Sequence, residues 1–158
     1  MATTVEHSRA VPIELESAFA GTLPIRLTDI FCRRYLLLPP IKAVRGQDGR
    51  WGQVGQSRTV VTADGGTMRE VLTAVDAPHS FSYRLSELTG PLRPIVESID
   101  GRWEFAPLGT GTVITWRWTL HPRGLGTALL PLITSMWRGY ARQALELLSG
   151  QLLTTEPG

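Results

Sequence analysis

At 158 residues, 42% hydrophobic and 19% charged, the chain fits one globular domain, 1–158, with a core of its own. No apolar run approaches the roughly twenty residues of a membrane span, Met1–Ala10 lacks the apolar stretch of a signal peptide, and a single cysteine, Cys32, excludes an internal disulfide and fits a reducing cytoplasm. The net charge of +2 and the pI near 9.1 come from scattered arginines, with Lys42 the only lysine, so no basic stripe for nucleic acid is expected.

Thr3–Val11 reads as a strand that Pro12 ends. Ile13–Leu23 reads as a short helix, with Glu14 and Glu16 near its start, where the helix dipole favours them. Ile25–Leu38 predicts a second short helix stopped by Pro39-Pro40. Arg33-Arg34, the only adjacent basic pair, falls on its solvated face. From Ile41 the pattern changes to strands: Ile41–Gly46, Gln53–Thr62, Thr67–Val75, Ser80–Leu88, Ile95–Phe105 and Thr110–His121. Turn signals separate them at Asp48-Gly49, Asp64-Gly65-Gly66, Asp76–His79 and Gly109-Thr110-Gly111. Thr127–Leu153 is one long helix. Leu129, Ile133, Met136, Tyr140, Ala144 and Leu147 form its apolar stripe, and Arg138, Arg142, Glu146 and Ser149 the polar one. The tail, Thr154–Gly158, reads as disordered, leaving an ordered core of about 3–153.

The fold class is α+β: a curved antiparallel sheet of seven strands wrapped around a long C-terminal helix, with two short helices after the first strand. The last strand, at about 3.3 Å per residue, and the helix, at about 1.5 Å, both reach about 40 Å. The helix therefore covers the whole strand.

Hairpin parity assigns faces, because opposed residues of an antiparallel pair share a side. A two-residue turn at Asp64-Gly65 or Gly65-Gly66 places Thr59 and Val61 with Met68, Glu70 and Leu72. Pairing residue 75 with residue 80 adds Phe81, Tyr83 and Leu85. Pro107 opposite Thr112 sets Trp103 against Trp116, with Trp118 alongside. This aromatic face is expected inside.

Metal chemistry is not indicated. His7, His79 and His121 are dispersed, and no ligand pair has helix or C-x-x-C spacing. Cys32 reads as a small buried residue. Glu70 stands out, because a carboxylate between Met68 and Leu72 on an inward face must be neutral, hydrogen-bonded or paired. Tyr83, diagonal to it, is a candidate hydrogen-bond partner. A nearer-surface reading pairs Glu70 with Arg58, Arg84 or another arginine at a cavity mouth.

The element order resembles the SRPBCC superfamily, the helix-grip group that includes START lipid-transfer domains, polyketide cyclase/dehydrases and birch-pollen-allergen-like proteins. The resemblance rests on the following residues. The opening strand leads into Val11-Pro12-Ile13-Glu14-Leu15-Glu16-Ser17-Ala18-Phe19. Gly55-Gln56-Ser57-Arg58-Thr59 and Gly66-Thr67-Met68-Arg69-Glu70-Val71 follow. Asp76-Ala77-Pro78 precedes Phe81-Ser82-Tyr83, then come Phe105–Thr112 and the closing helix. It covers about residues 3–153 and is similar above all to small stand-alone members from high-GC actinobacteria. It implies an apolar cavity between sheet and helix and no single activity.

The expected function is binding or carrying a lipid- or polyketide-like molecule. Met68, Leu72, Phe81, Trp103, Trp116, Trp118, Met136 and Tyr140 would form the wall, with Glu70 and Tyr83 orienting a polar group. The alternative is a polyketide cyclase or dehydratase in which Glu70 or Tyr83 moves protons. No catalytic residue is carried over from the family. No cofactor, metal, nucleic-acid partner or stable membrane insertion is expected, and monomer and homodimer both remain open.

Overall fold

A computed structural model describes residues 2–155. Seven strands form one antiparallel sheet: β1 (Thr3–Val11), β2 (Ile41–Arg45), β3 (Ser57–Thr62), β4 (Thr67–Asp76), β5 (Ser80–Ser86), β6 (Val96–Leu108) and β7 (Gly111–Pro122). Their spatial order is β1-β7-β6-β5-β4-β3-β2. Two short helices, α1 (Leu15–Thr22) and α2 (Leu27–Ile30), follow β1, and a 3₁₀ turn (Gly124–Leu129) leads into the long helix α3 (Leu130–Thr155). This is the helix-grip arrangement: the sheet curves around α3, and α1 and α2 close one end.

Alternation drives the layering. Along β7, Thr112, Ile114, Trp116, Trp118 and Leu120 are buried, and the residues between them are half-exposed. Trp103 pairs with Trp116 as hairpin parity requires. The corner after β1 is pinned from inside, where the buried Thr112 hydroxyl donates to the Ile13 carbonyl at 2.7 Å. Phe19 of α1 meets Phe81 and Phe105 edge-on at 5.9 and 5.3 Å, so α1 packs on the inner face of β5 and β6.

Four details differ from the sequence reading. The β3–β4 hairpin has a three-residue loop. Asp64 Oδ1 accepts from the Gly66 amide at 2.9 Å, Gly65 sits at φ +89°, and Thr62 N–H donates to the Gly66 carbonyl. Side-chain capping of this kind lengthens the turn and reverses the parity of β3. Arg58 and Val60, not Thr59 and Val61, share a face with Met68 and Glu70.

Second, the β4–β5 register shifts between Leu72 and Ala74. It starts one residue away from the expected pairing at the turn and recovers it beyond the bulge, with Leu72 opposite Tyr83 and Glu70 opposite Leu85.

Third, α2 ends at Ile30 instead of Leu38. The chain then makes a tight reversal in which the Tyr35 and Leu38 backbones bond each other at 3.1 and 2.9 Å. The apolar run there mimics a helix stripe, but Leu36 adopts φ +51°, which no helix contains. Arg33 and Arg34 therefore lie on an exposed loop, and Cys32 is exposed as well.

Fourth, α3 is rotated from the expected phase. Its buried stripe runs through Ile133, Met136, Trp137, Tyr140, Ala141, Ala144, Leu145 and Leu148, and Ser149 is buried too. Leu147 is only half-buried, and Leu129, in the 3₁₀ turn, is 46% exposed. Trp137 explains the rotation. Its ring lies 4.8 Å from that of Trp116 and 5.8 Å from that of Trp118, and burying an indole outweighs burying one more leucine. The helix also runs through Thr154 to Thr155; the rest of the expected tail, 156–158, lies outside the described residues.

Candidate ligand cavity

The aromatic layer is solid where α3 crosses β7. Trp103 stacks on Trp116 at 5.4 Å and Trp118 meets Trp116 edge-on at 5.6 Å, with Trp137 closing from the helix. Toward α2 the packing opens into a cavity of about 100 Å³. Its floor comes from the sheet: Arg58 and Val60 of β3, Met68 and Glu70 of β4, Phe81, Tyr83 and Leu85 of β5, Trp103 of β6, and Trp116 and Trp118 of β7. Its roof comes from Ile30, Phe31, Leu38 and Tyr140, and Trp51 walls one side. Exposed Thr89 and Pro91, with half-buried Leu27, form its rim.

Eight of the ten residues proposed from sequence line this space. Leu72 and Met136 do not. Both are buried members of the hydrophobic core cluster instead.

Tyr83 is held by an arrangement that begins with a glycine. Gly101 faces Tyr83 across the β5–β6 pair and Trp118 across the β6–β7 pair. A Cβ at position 101 would lie 2.0 Å from the Tyr83 ring. The bare glycine therefore lets the ring lie across β6, the close approach a mid-strand glycine permits. The phenol oxygen then reaches β7, where it accepts Trp116 Nε1–H at 2.8 Å and Trp118 Nε1–H at 3.0 Å.

Two donors occupy both lone pairs of this oxygen, so its remaining capacity is to donate its own proton. Among the described residues that proton has no acceptor. The expected Tyr83–Glu70 hydrogen bond is absent: the phenol oxygen is carried across β6 to the indoles of β7, while Glu70 is held by Arg58 of β3. Burial, reinforced by the nearby Glu70 charge, holds the Tyr83 phenol above its ordinary pKa, so it stays protonated.

Glu70 is paired inside the protein rather than at the mouth. Arg58 Nε donates to Glu70 Oε1 at 2.8 Å, with the two side chains only 3% and 5% exposed. Arg58 also donates to Gln47 Oε1 at 2.9 Å and lies over the Trp51 ring, 3.8 Å from its centroid. Burial raises the Glu70 pKa, while the charge and hydrogen bond of Arg58 pull it back. Arg58 is one of the arginines the sequence offered for Glu70, but hairpin parity missed its place because it assigned Arg58 to the outer face. Trp51 was missed too, although an indole inside the polar segment Arg50–Gln53 is a recognisable anomaly. Tyr140 donates to the Pro39 carbonyl at 3.0 Å and stacks on Phe31 at 5.8 Å. Its hydroxyl is thus committed to the loop. Burial, with a smaller contribution from Cys32, raises its pKa.

A sequence model described as "Polyketide cyclase / dehydrase and lipid transport" matches residues 2–152. The chain belongs to this family. Members of the polyketide cyclase/dehydrase and lipid transport family share the helix-grip architecture, and solved structures agree. Norcoclaurine synthase from Thalictrum flavum, in complex with dopamine and hydroxybenzaldehyde, superposes with a TM-score of 0.73 at 18% identity, covering 100% of this chain and 90% of that one. Ara h 8.0201 gives 0.67 at 18%, covering 98% and 100%. The major latex-like protein 151 of Panax ginseng gives 0.68 at 14%, covering 96% and 98%. At these identities the likeness establishes the fold of this polyketide cyclase/dehydrase and lipid transport chain. No curated protein matches its sequence.

Proposed function

We propose that this protein binds an apolar or amphipathic small molecule in the cavity between the sheet and α3, and that Tyr83 selects ligands bearing an acceptor oxygen. One observation carries the reading: a buried phenol on an apolar cavity wall, with both lone pairs taken and its proton unclaimed. A ligand carbonyl, ether or hydroxyl oxygen would accept that proton. Phe81, Trp103 and Trp116 would hold the apolar body, and the free Oε2 of Glu70 would take a ligand donor. A site that leaves a buried polar group unpaired discriminates against ligands lacking the partner. An apolar cavity of roughly 150 Å³ accommodates benzene, so this one, at about 100 Å³, encloses a short chain or part of a ring, with the remainder emerging at the rim. The structural relative crystallised with hydroxybenzaldehyde and dopamine supports this ligand scale for the fold. A lone cysteine supports a reducing compartment such as the cytoplasm.

The test compares acetophenone with ethylbenzene, which differ by a carbonyl for a methylene, through quenching of indole fluorescence. Acetophenone is expected to bind at least about tenfold more tightly, and Tyr83→Phe to remove the difference. Equal affinities in the wild type, or no binding of either, would overturn the reading. Native mass spectrometry of the purified protein then seeks the resident ligand.

A second reading, a cyclase or dehydratase, rests on Glu70, a carboxyl of raised pKa on the cavity wall, as the proton carrier. In that case Glu70→Gln lowers turnover of a polyketide-like substrate by about a hundredfold or more. Turnover unaffected by the change would remove Glu70 from the chemistry, and no turnover by the wild type would leave binding alone.

A further inference from the structure

We propose that the loop between α2 and β2 docks the protein on anionic phospholipid bilayers. Its tip is apolar and exposed without a structural reason. Leu36 and Leu37 occupy the two central positions of the reversal closed by Tyr35 and Leu38, and they are 66% and 72% exposed. Leu36 also takes the left-handed conformation, φ +51°, where glycine or asparagine is favoured and leucine is strained. Neither side chain contributes to the core, so what favours leucine at this tip lies outside the chain. Leu132, 54% exposed, adds to the apolar surface. It lies on the same stripe of α3 as Gly139, about 10 Å away along the axis.

Charge points to the partner. Between residues 25 and 46 stand Arg26, Arg33, Arg34, Lys42 and Arg45 against Asp29, a net of +4. The whole chain carries +2, so the remainder carries −2. All five basic residues are exposed, and none belongs to an ion pair among the described residues. Leucines at a tip with arginines behind it suit the layering of a bilayer surface, acyl chains below and anionic headgroups above. No helix among the described residues is long and apolar enough to cross a membrane, so the attachment is peripheral.

The loop is built to bear on a surface. A Cβ at Gly139 would lie 2.1 Å from the Tyr35 ring, so the loop packs directly on α3 there. Tyr140 donates to the Pro39 carbonyl, and the Ile41 amide donates to the Phe31 carbonyl at 2.7 Å. The base is therefore fixed while the tip projects. Phe31, Leu38, Pro39 and Ile41 of the same segment line the cavity. Docking thus sets one cavity wall against the bilayer, where an apolar ligand can exchange without crossing water. The exchange rests on the binding function proposed above, whereas the docking does not.

The experiment is flotation with vesicles of phosphatidylcholine alone and with 30% phosphatidylserine, using the full chain, Arg33→Gln/Arg34→Gln and Leu36→Ser/Leu37→Ser. All substituted residues are exposed, and unchanged melting of each variant confirms the fold. The wild type is expected to float only with phosphatidylserine vesicles and to release as salt rises from 0.1 to 0.5 M. Each basic residue near an anionic surface strengthens binding about fivefold, so the double arginine variant should bind at least about tenfold more weakly. The leucine variant should lose at least as much. No flotation of the wild type, or variants that float equally well, would overturn the proposal. So would a wild-type dimer that Leu36→Ser/Leu37→Ser converts to monomer, since that assigns the tip to a second copy. Acetophenone binding, measured separately, tells a failure of docking from a failure of the cavity reading.

Discussion

Replacing Arg58 by methionine removes the partner of a buried carboxylate and keeps most of the side-chain volume. Glu70 then carries an uncompensated charge at 5% exposure, or it takes a proton. Protonation caps the penalty. Holding neutral a carboxyl with an unfolded pKa of about 4.3 costs about 1.36 kcal/mol per pH unit above that value, hence about 3.7 kcal/mol at pH 7 and about 1 kcal/mol at pH 5. The pH 7 figure falls in the range of about 3–5 kcal/mol for breaking a buried pair from one side.

The sign follows from the raised folded pKa of Glu70. The stability tied to its neutral form is fully present below the unfolded pKa and is lost as pH rises toward the folded value, which in Arg58→Met lies higher still. Loss of the Trp51 stacking and the Gln47 hydrogen bond adds a pH-independent cost of about 1 kcal/mol. Urea denaturation at pH 7 should therefore place Arg58→Met about 5 kcal/mol below wild type, and at pH 5 about 2 kcal/mol below. Arg58→Met/Glu70→Leu should recover at least about 2 kcal/mol of the pH 7 loss, because an apolar pair removes both desolvation penalties. A single-variant loss independent of pH, or strictly additive losses in the double variant, would refute a coupled buried pair.

Gly101→Ala forces a methyl into the Tyr83 ring and releases two buried indole N–H groups. A loss of about 2–4 kcal/mol is expected by denaturation, with a changed near-ultraviolet dichroism from Trp116 and Trp118. Met136→Asp puts a carboxylate into the solid layer between helix and sheet and should cost several kcal/mol, whereas Arg138→Asp, on the exposed side of α3, should stay within about 1 kcal/mol of wild type. Equal melting temperatures for these two variants would show that the helix is oriented differently.

Legibility varied with how locally each feature is determined. The bounds of β1 were readable because Pro12 ends it, and the Trp103–Trp116 register because alternation along β7 and a Gly-Thr-Gly turn leave one solution. The β3–β4 face was not, since a single side chain, Asp64, decides between a two- and a three-residue loop. The second helix was misread because Ile30-Phe31 and Leu36–Leu38 have helical spacing, while the reversal closed by Tyr35 and Leu38 buries Phe31 and Leu38 without a helix. The α3 phase failed by weighing every apolar residue alike, when burying the indole of Trp137 outweighs burying one more leucine. Glu70 and Tyr83 were placed correctly on the inner face. Arg58 stood among the partners considered for Glu70, but the reversed parity put it outside although the two residues oppose each other on β3 and β4. The indoles that hold Tyr83 come from β7, and pairing across non-adjacent strands leaves no mark on either strand alone. Gly101 was the available signal, a glycine inside a long strand.

That glycine ties four positions into one inherited unit. A relative that acquires a side chain at the position of Gly101 has no room for a tyrosine at the position of Tyr83. Once the tyrosine goes, the indoles at 116 and 118 lose their shared acceptor and become liabilities in a dry layer. Lineages of this fold should therefore keep the quartet intact or exchange it wholesale, and descent from one state to the other has to pass through an intermediate weaker than both ends.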